Sequence, residues 1–396
     1  MPDTLLRLLH DISWPAALAL AWLAGEAGQR WLRLPRVSGY GIAGFLMAAS
    51  QGGFLADPEG APVTLLADFA FALILFELGY RINLRWLRAN PWLGATSILE
   101  AFGTFGAVLA VALAFDVPPV PALLLAALTM STSPAAVLRV ANDLRSAGQV
   151  TERIMHLSAF NCVLSVATFK AVLGYSILTN SGSVFHAIWS SLVVVLASAG
   201  IGTLFGVAVP GLLRGIGGLA RNATIAFALA ALLLTTLTHA LKFSPLLAAL
   251  AFGLVARHRR VILSQAQRNF GALGDLLTVL LFVFVAATID GRQALAGATL
   301  GLSIVGVRLA VKTAVTTLLS RASGISWRKG ALTGVAMMPL SVFAILLMEQ
   351  TRRSDFGAFE EMAGIAAVVL LLEVAGPLFT QWALARAGES VGKEER

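Results

Sequence analysis

Glu100, Lys170, Arg308 and Lys312 fall well inside long apolar stretches, as do Glu77 and Glu373, which read as structural residues. On insertion scales a charge at the centre of hydrocarbon costs about 2.5 to 3.5 kcal/mol, so each needs a partner or a water-accessible cavity. Glu100 is the best-placed carboxylate for holding and releasing a proton, and the alternative is a structural ion pair with Lys170, Arg308 or Lys312. Arg308 and Lys312 stand one turn apart and both lie well inside their span; either can snorkel to an interface, and a core role is expected for at least one of them. Lys170 follows Cys162 by about two turns and projects from nearly the same face. It either brings its charge to a shared cavity or ties two helices together.

Oxygen and sulfur groups accompany these charges. Ser131, Thr132 and Ser133 precede Pro134, and a second proline, Pro339, stands in the run Ala336 to Ser341. A proline inside a helix removes a hydrogen bond and clashes with the preceding turn, so a break is expected at Pro134 and at Pro339. The three hydroxyls can satisfy the freed backbone groups or offer oxygens to a dehydrated cation. Asn161 and Cys162 add an amide and the chain's single thiol. A thiol with an ordinary pKa of about 8.5 is mostly protonated at neutral pH and is a poor ligand for a hard alkali cation.

The elements that position these groups follow from composition. The chain has 396 residues, 58% hydrophobic and only 13% charged, and its mean hydropathy is +0.82. That is more apolar surface than a water-soluble core can hide, and the lipid bilayer is the expected partner. Runs of about 20 residues with internally bonded backbone imply helices, and the absence of period-two alternation excludes an outer-membrane barrel. About thirteen spans are predicted, from Trp14 to Gln29, Ser38 to Phe54, Val63 to Gly79, Pro91 to Phe115, Pro121 to Ala141, Ile154 to Leu178, Phe185 to Leu212, Ala223 to Leu241, Pro245 to Ala256, Leu273 to Ile289, Ala294 to Leu319, Gly330 to Met348 and Ala363 to Leu384. The second and ninth are short. The two prolines fall in the fifth and twelfth spans, positions that correspond if the two halves are inverted repeats, and discontinuous helices meeting at the midplane are a common way to build an ion site.

Basic residues test the count. One set of alternate loops carries 21 Lys and Arg residues and the other 5, with Lys170, Arg308 and Lys312 left inside spans. This bias predicts an N-terminus outside and a C-terminus in the cytoplasm. The net charge of +8 therefore reports topology, and no nucleic acid is expected as a partner. No signal-peptide cleavage pattern is present, the tail after Leu384 is too short for a regulatory domain, and residues 1–396 read as one transmembrane domain. One cysteine allows no internal disulfide. Metal-ligand clusters, nucleophile triads and phosphate-cradling loops are absent from the sequence, so neither enzymatic activity nor a cofactor is expected. His156, near a predicted boundary, has two readings, a pH sensor or, as is more usual for a lone histidine there, a solvated side chain.

Several motifs in order resemble the membrane domain of the monovalent cation:proton antiporter-2 family, which includes sodium/proton antiporters and potassium efflux proteins. Leu34-Pro35-Arg36-Val37-Ser38-Gly39-Tyr40 with Ala43-Gly44 resembles the entry to that family's second helix. Leu75-Phe76-Glu77-Leu78-Gly79 with Asn83-Leu84-Arg85 is similar to the end of its third, Ser131 to Ala136 to its first broken helix, Phe284 to Asp290 to the close of its tenth, and Glu373 to Leu378 to its terminal helix. The resemblance covers nearly the whole chain. It implies an all-α polytopic fold of thirteen helices, split into a dimerisation bundle and a mobile core with two discontinuous crossing helices, and it implies a homodimer. It also implies a basic core-helix residue, matched by Lys312 or Arg308. Two departures stand out: the sixth helix usually carries a carboxylate where this chain has Asn161-Cys162, and an acidic run near the second break is replaced by Pro339-Leu340-Ser341-Val342.

The expectation that follows is a secondary transporter of the inner membrane exchanging Na+ or K+ for protons. Two alternatives remain open at this point: a carrier for an anion or organic solute on the same scaffold, suggested by three buried basic residues, and a member of the family that does not transport.

Overall fold

In a computed structural model the chain is described over residues 2–55, 61–178, 184–216, 219–259, 270–341 and 363–390. Its helices are α1 (Pro2–Ala27), α2 (Arg36–Met47), α3 (Ala61–Arg81), α4 (Leu84–Ala89), α5 (Pro91–Ala114), α6 (Pro119–Thr129), α7 (Pro134–Asp143), α8 (Gln149–Leu178), α9 (Val184–Ile216), α10 (Leu219–Ala240), α11 (Pro245–His258), α12 (Gly271–Ala287), α13 (Gly291–Ala296), α14 (Ala298–Leu318), α15 (Trp327–Ala336) and α16 (Ala363–Arg386). Strands are absent among the described residues. Eight helical segments are long and apolar enough to cross a membrane by length and composition, with Pro119–Asp143 counted as one, and α11 and α12 are apolar but shorter.

A helix stands at each predicted span. Two details differ. The eleventh predicted span begins with a separate turn, α13, capped by the Asp290 carboxylate on the Arg292 amide at 2.8 Å, before α14 starts. Residues 342–348 of the twelfth lie outside the described residues.

The fifth span is two half-helices. After Thr129 the chain unwinds through Met130–Ser133, the Ser133 hydroxyl accepts from the Ala136 amide at 3.2 Å, and Pro134 takes the first helical position of α7. Serine before proline is a regular helix start, because the proline's missing N–H would have had no partner there. The break therefore lies before the proline. The other break is the non-helical stretch Met337–Ser341 after α15, and Pro339 sits inside it. The two stretches touch: the Ser133 amide donates to the Pro339 carbonyl at 2.8 Å and the Thr132 hydroxyl to the Met337 carbonyl at 3.1 Å. Gly376 lets α16 close on this crossing, since a Cβ there would stand 2.6 Å from Pro339 Cα.

Seven helices enclose the crossing: α5, α6, α7, α8, α14, α15 and α16. Beside them α3, α9, α10 and α11 pack together around Phe76, whose ring lies 4.7 Å from that of Phe252 and 5.0 Å from that of Phe227. Polar ties join the C-terminal end of α7 to three neighbours: Asp143 to Arg36 at 3.3 Å, Asn142 to Arg81 at 2.5 Å, and Arg139 to Asp275 at 2.9 Å. The start of α8 is held from far along the chain. Both oxygens of Glu389 accept from its first turn, at 2.9 Å from the Val150 amide and 2.8 Å from the Thr151 amide.

Candidate functional site

Two helices aim their polar residues at the crossing through simple periodicity. On α14 the buried residues are Leu300, Gly301, Ile304, Arg308, Lys312 and Thr316, a stripe repeating every three or four positions, while much of the remaining surface is exposed and apolar. Steps of three and four keep residues on one face, so the two basic side chains must point into the bundle. On α5 the buried stripe runs Leu93, Thr96, Ser97, Glu100, Ala101, Thr104, Val108 and Ala112. From α8 come Asn161 and Cys162, with Ser165 one turn on bonding the Ala127 carbonyl of α6 at 2.6 Å.

At the centre Glu100 and Lys312 form an ion pair, both side chains wholly buried. The Lys312 ammonium also donates to the Met130 carbonyl and to the Thr132 hydroxyl, each at 3.3 Å. The second Glu100 oxygen accepts from the Asn161 amide at 2.6 Å, and the Thr104 hydroxyl approaches the first at 3.4 Å. Ser97 fixes the amide by donating to Asn161 Oδ1 at 3.1 Å. Pairing with hydrogen bonds on both sides is the condition under which buried charges are tolerated.

Arg308, one turn before Lys312, holds the crossing itself. Its Nη2 donates to the Ser131 carbonyl and lies 3.4 Å from the carbonyls of Met337 and Pro339. These carbonyls were freed by the unwinding, and one guanidinium meets oxygens from both stretches. Its Nε and Nη1 have no hydrogen-bond partner among the described residues. Cys162 lies against the same stretches, with Sγ 3.4 Å from the Thr132 carbonyl and 3.9 Å from Ser341 Oγ.

The structure thus brings Thr132, Ser133, Asn161, Cys162, Glu100, Arg308 and Lys312 to one place beside Pro339 and just ahead of Pro134. A carboxylate reaches Asn161, the neighbour of Cys162, and among the described residues the Cys162 thiol bonds a carbonyl and a hydroxyl. Lys170 stands apart: it is half-buried farther along α8 and makes no hydrogen bond or ion pair with the described residues. His156 is buried, not solvated as its place in the sequence suggested; its ring accepts from the Asn83 amide at 3.3 Å and contacts the Glu152 carbonyl at 2.7 Å. Ser97 and Thr104 escaped sequence reasoning, although their steps of three and four from Glu100 placed them on its face. No group of three or more His, Cys, Asp or Glu residues that could hold a metal ion occurs among the described residues.

An interrupted helix whose unwound stretch meets the non-helical residues after α15, beside a buried ion pair and within a bundle of apolar helices, defines the class as a helical membrane transporter fold. The chain belongs to the sodium/hydrogen exchanger transmembrane family, which it matches over residues 16–386. Two solved structures share the fold. One is the sodium proton antiporter MjNhaP1 from Methanocaldococcus jannaschii at pH 8, 15% identical with a TM-score of 0.66, covering 96% of this chain and 99% of that one. The other is an electron-microscopy structure of the same antiporter, 16% identical with a TM-score of 0.69, covering 96% and 98%. No curated protein sequence matches the chain.

Proposed function

We propose that this protein exchanges a monovalent cation, Na+ or K+, for protons across the inner membrane as a homodimer, with Glu100 on α5 in the role usually held by a sixth-helix carboxylate. The observation that carries the reading is what surrounds the Lys312 ammonium. Glu100, the Thr132 hydroxyl and the Met130 carbonyl hold it with oxygen atoms alone. A set of oxygens that binds one monovalent cation is a ready-made site for another.

The exchange can be written so that charge balances. An alkali cation takes the place of the ammonium against Glu100. Lys312, left beside Arg308 without its counter-charge, gives up a proton and becomes a neutral amine. One cation is bound and one proton released, with no change in the net charge of the site. The proton returns to Lys312 when the cation leaves. Alternating access by movement of the helices around the crossing, with the N-terminus outside and the C-terminus in the cytoplasm, completes the cycle.

Purified protein in proteoliposomes with an imposed proton gradient tests this. Added Na+ or K+ is expected to dissipate the gradient, and Glu100→Gln to reduce the response to background. Indifference to every alkali cation, or full activity of the Gln variant, overturns the proposal.

One observation favours a second reading. Two basic groups, Lys312 on Glu100 and Arg308 on the carbonyls of the crossing, are buried here with one carboxylate between them in charge count, and two Arg308 nitrogens are unpartnered among the described residues, so the site as a whole is positive. A carrier for an anion or organic solute on this scaffold fits that excess. Uptake of a labelled anion that disappears in Lys312→Ala, together with insensitivity to alkali cations, would select it.

A further inference from the structure

A second acidic side chain is buried in this bundle, and the exchange just described does not use it. Glu373, on α16, is 4% exposed, and its Oε1 has no hydrogen-bond partner among the described residues. It shares a face of α16 with Gly376 and Thr380, three and seven residues on. Gly376 abuts Pro339, and the Thr380 hydroxyl donates to the Ala336 carbonyl at 2.8 Å, so this face looks onto the second break. Against its other side lies α2. A Cβ on Gly41 would come within 3.2 Å of Glu373 Cγ, and Ser38 donates to the Val374 carbonyl at 2.8 Å.

The charged groups of the helices packed on α16 are occupied elsewhere. On α2, Arg36 binds Glu26 at 2.8 Å and Asp143 of α7 at 3.3 Å, and Tyr40 is the only other titratable group there. Arg139 of α7 binds Asp275. On α14 Lys312 binds Glu100 and Arg308 binds carbonyls. On α15 Arg328 donates to the Arg386 carbonyl, and Lys329 meets Gln149 and Glu389. Arg292 of α13 is exposed, and Arg386 of α16 itself lies over Trp382. An isolated carboxylate in such surroundings neutralises, because no cation among the described residues compensates its lost hydration.

We propose that Glu373 is a second proton-binding site, a carboxyl group that carries a proton while α16 is packed on α2. It lies on the helix face that closes the second break, apart from the Glu100–Lys312 pair. The inference rests on the antiport reading only for what that proton does in transport. Its occupancy can be measured without transport.

Infrared spectroscopy of the reconstituted protein at neutral pH is the test, with carbon-13-labelled glutamate to assign the signal to a glutamate carboxyl. The carbonyl stretch of a protonated carboxyl is expected in the wild type and in Glu100→Gln, and its loss is expected in Glu373→Gln. Absence of the band from the folded wild type, or its survival in Glu373→Gln, overturns the proposal. Should the Gln variant not fold, Glu373→Asp must keep a protonated-carboxyl band at a shifted position that no longer responds to the glutamate label, and an unshifted band counts against the assignment. A wild type that shows the band but ignores alkali cations would sink the antiport reading and leave the proton site standing.

Discussion

Glu100 and Lys312 have exchanged water for one another, and neither can be lost alone without stranding its partner inside the bundle. Breaking such a pair from one side costs about 3 to 5 kcal/mol, because the remaining charge keeps its desolvation penalty and loses its compensation. Lys312→Met is therefore expected to lower the thermal unfolding midpoint in detergent sharply, and Glu100→Gln combined with Lys312→Met to recover much of the loss. A double variant no more stable than Lys312→Met would show that the two do not stabilise each other. At this scale the sequence disclosed which side chains needed partners, since charges within apolar runs stand out. It did not disclose the pairing. Lys170, Arg308 and Lys312 are equally basic in one dimension, and the choice among them depends on the rotation of α14 and α8 against α5. The contrast between Lys170 and Lys312 makes the point: the latter continues a buried stripe with Arg308, Ile304 and Thr316, whereas the former has only two turns of separation from Cys162 to recommend it.

The two unwound stretches are held by specific partners, not by proline alone. Pro134 would sit comfortably at the start of α7 in any protein. What fixes the unwound residues is the contact of Thr132 and Ser133 with the carbonyls of Met337 and Pro339, and the Arg308 guanidinium over both stretches. The close approach of α16 at Gly376 belongs to the same arrangement. Gly376→Ala puts a methyl group 2.6 Å from Pro339 Cα, where only backbone could yield. Overpacking of this kind costs about 1 to 3 kcal/mol. The variant is expected to melt earlier and, under the antiport reading, to slow cation-driven proton flux while leaving the Glu100–Lys312 pair in place; unaltered melting would mean that α16 moves aside freely. Helix positions were legible here because hydropathy marks them locally, and the prolines flagged the breaks. That the two unwound stretches hydrogen-bond to each other, about 200 residues apart, was legible only as the expectation that matched prolines meet.

For the molecule as a whole, asymmetry of Lys and Arg and burial of the lone thiol make one joint prediction. Cys162 is wholly buried, so the folded wild type is expected to resist a membrane-impermeant maleimide and to react once unfolded. Against that silent background, Arg145→Cys should label only from the cytoplasmic side and Arg292→Cys only from the outside. Labelling of both from one side would break the orientation drawn from the charged loops. Composition alone was enough to place this chain in a bilayer, and ordered short motifs were enough to suggest the family to which it belongs. The unusual ion pair was not accessible that way, because the family pattern directs attention to the residue at Cys162 while the carboxylate comes from a different helix.

The Glu389 contact with α8 carries a consequence for how this protein is made. The amides of Val150 and Thr151 lie 239 and 238 positions before the side chain that satisfies them. As the chain leaves the ribosome, α8 emerges long before that carboxylate is synthesised, and its leading amides have only water to bond. The segment that presents Asn161 and Cys162 is thus completed late, by a residue translated long after it. A nascent protein stopped short of position 389 holds every group of the site and lacks the clasp that fastens α8 at its N-terminal end.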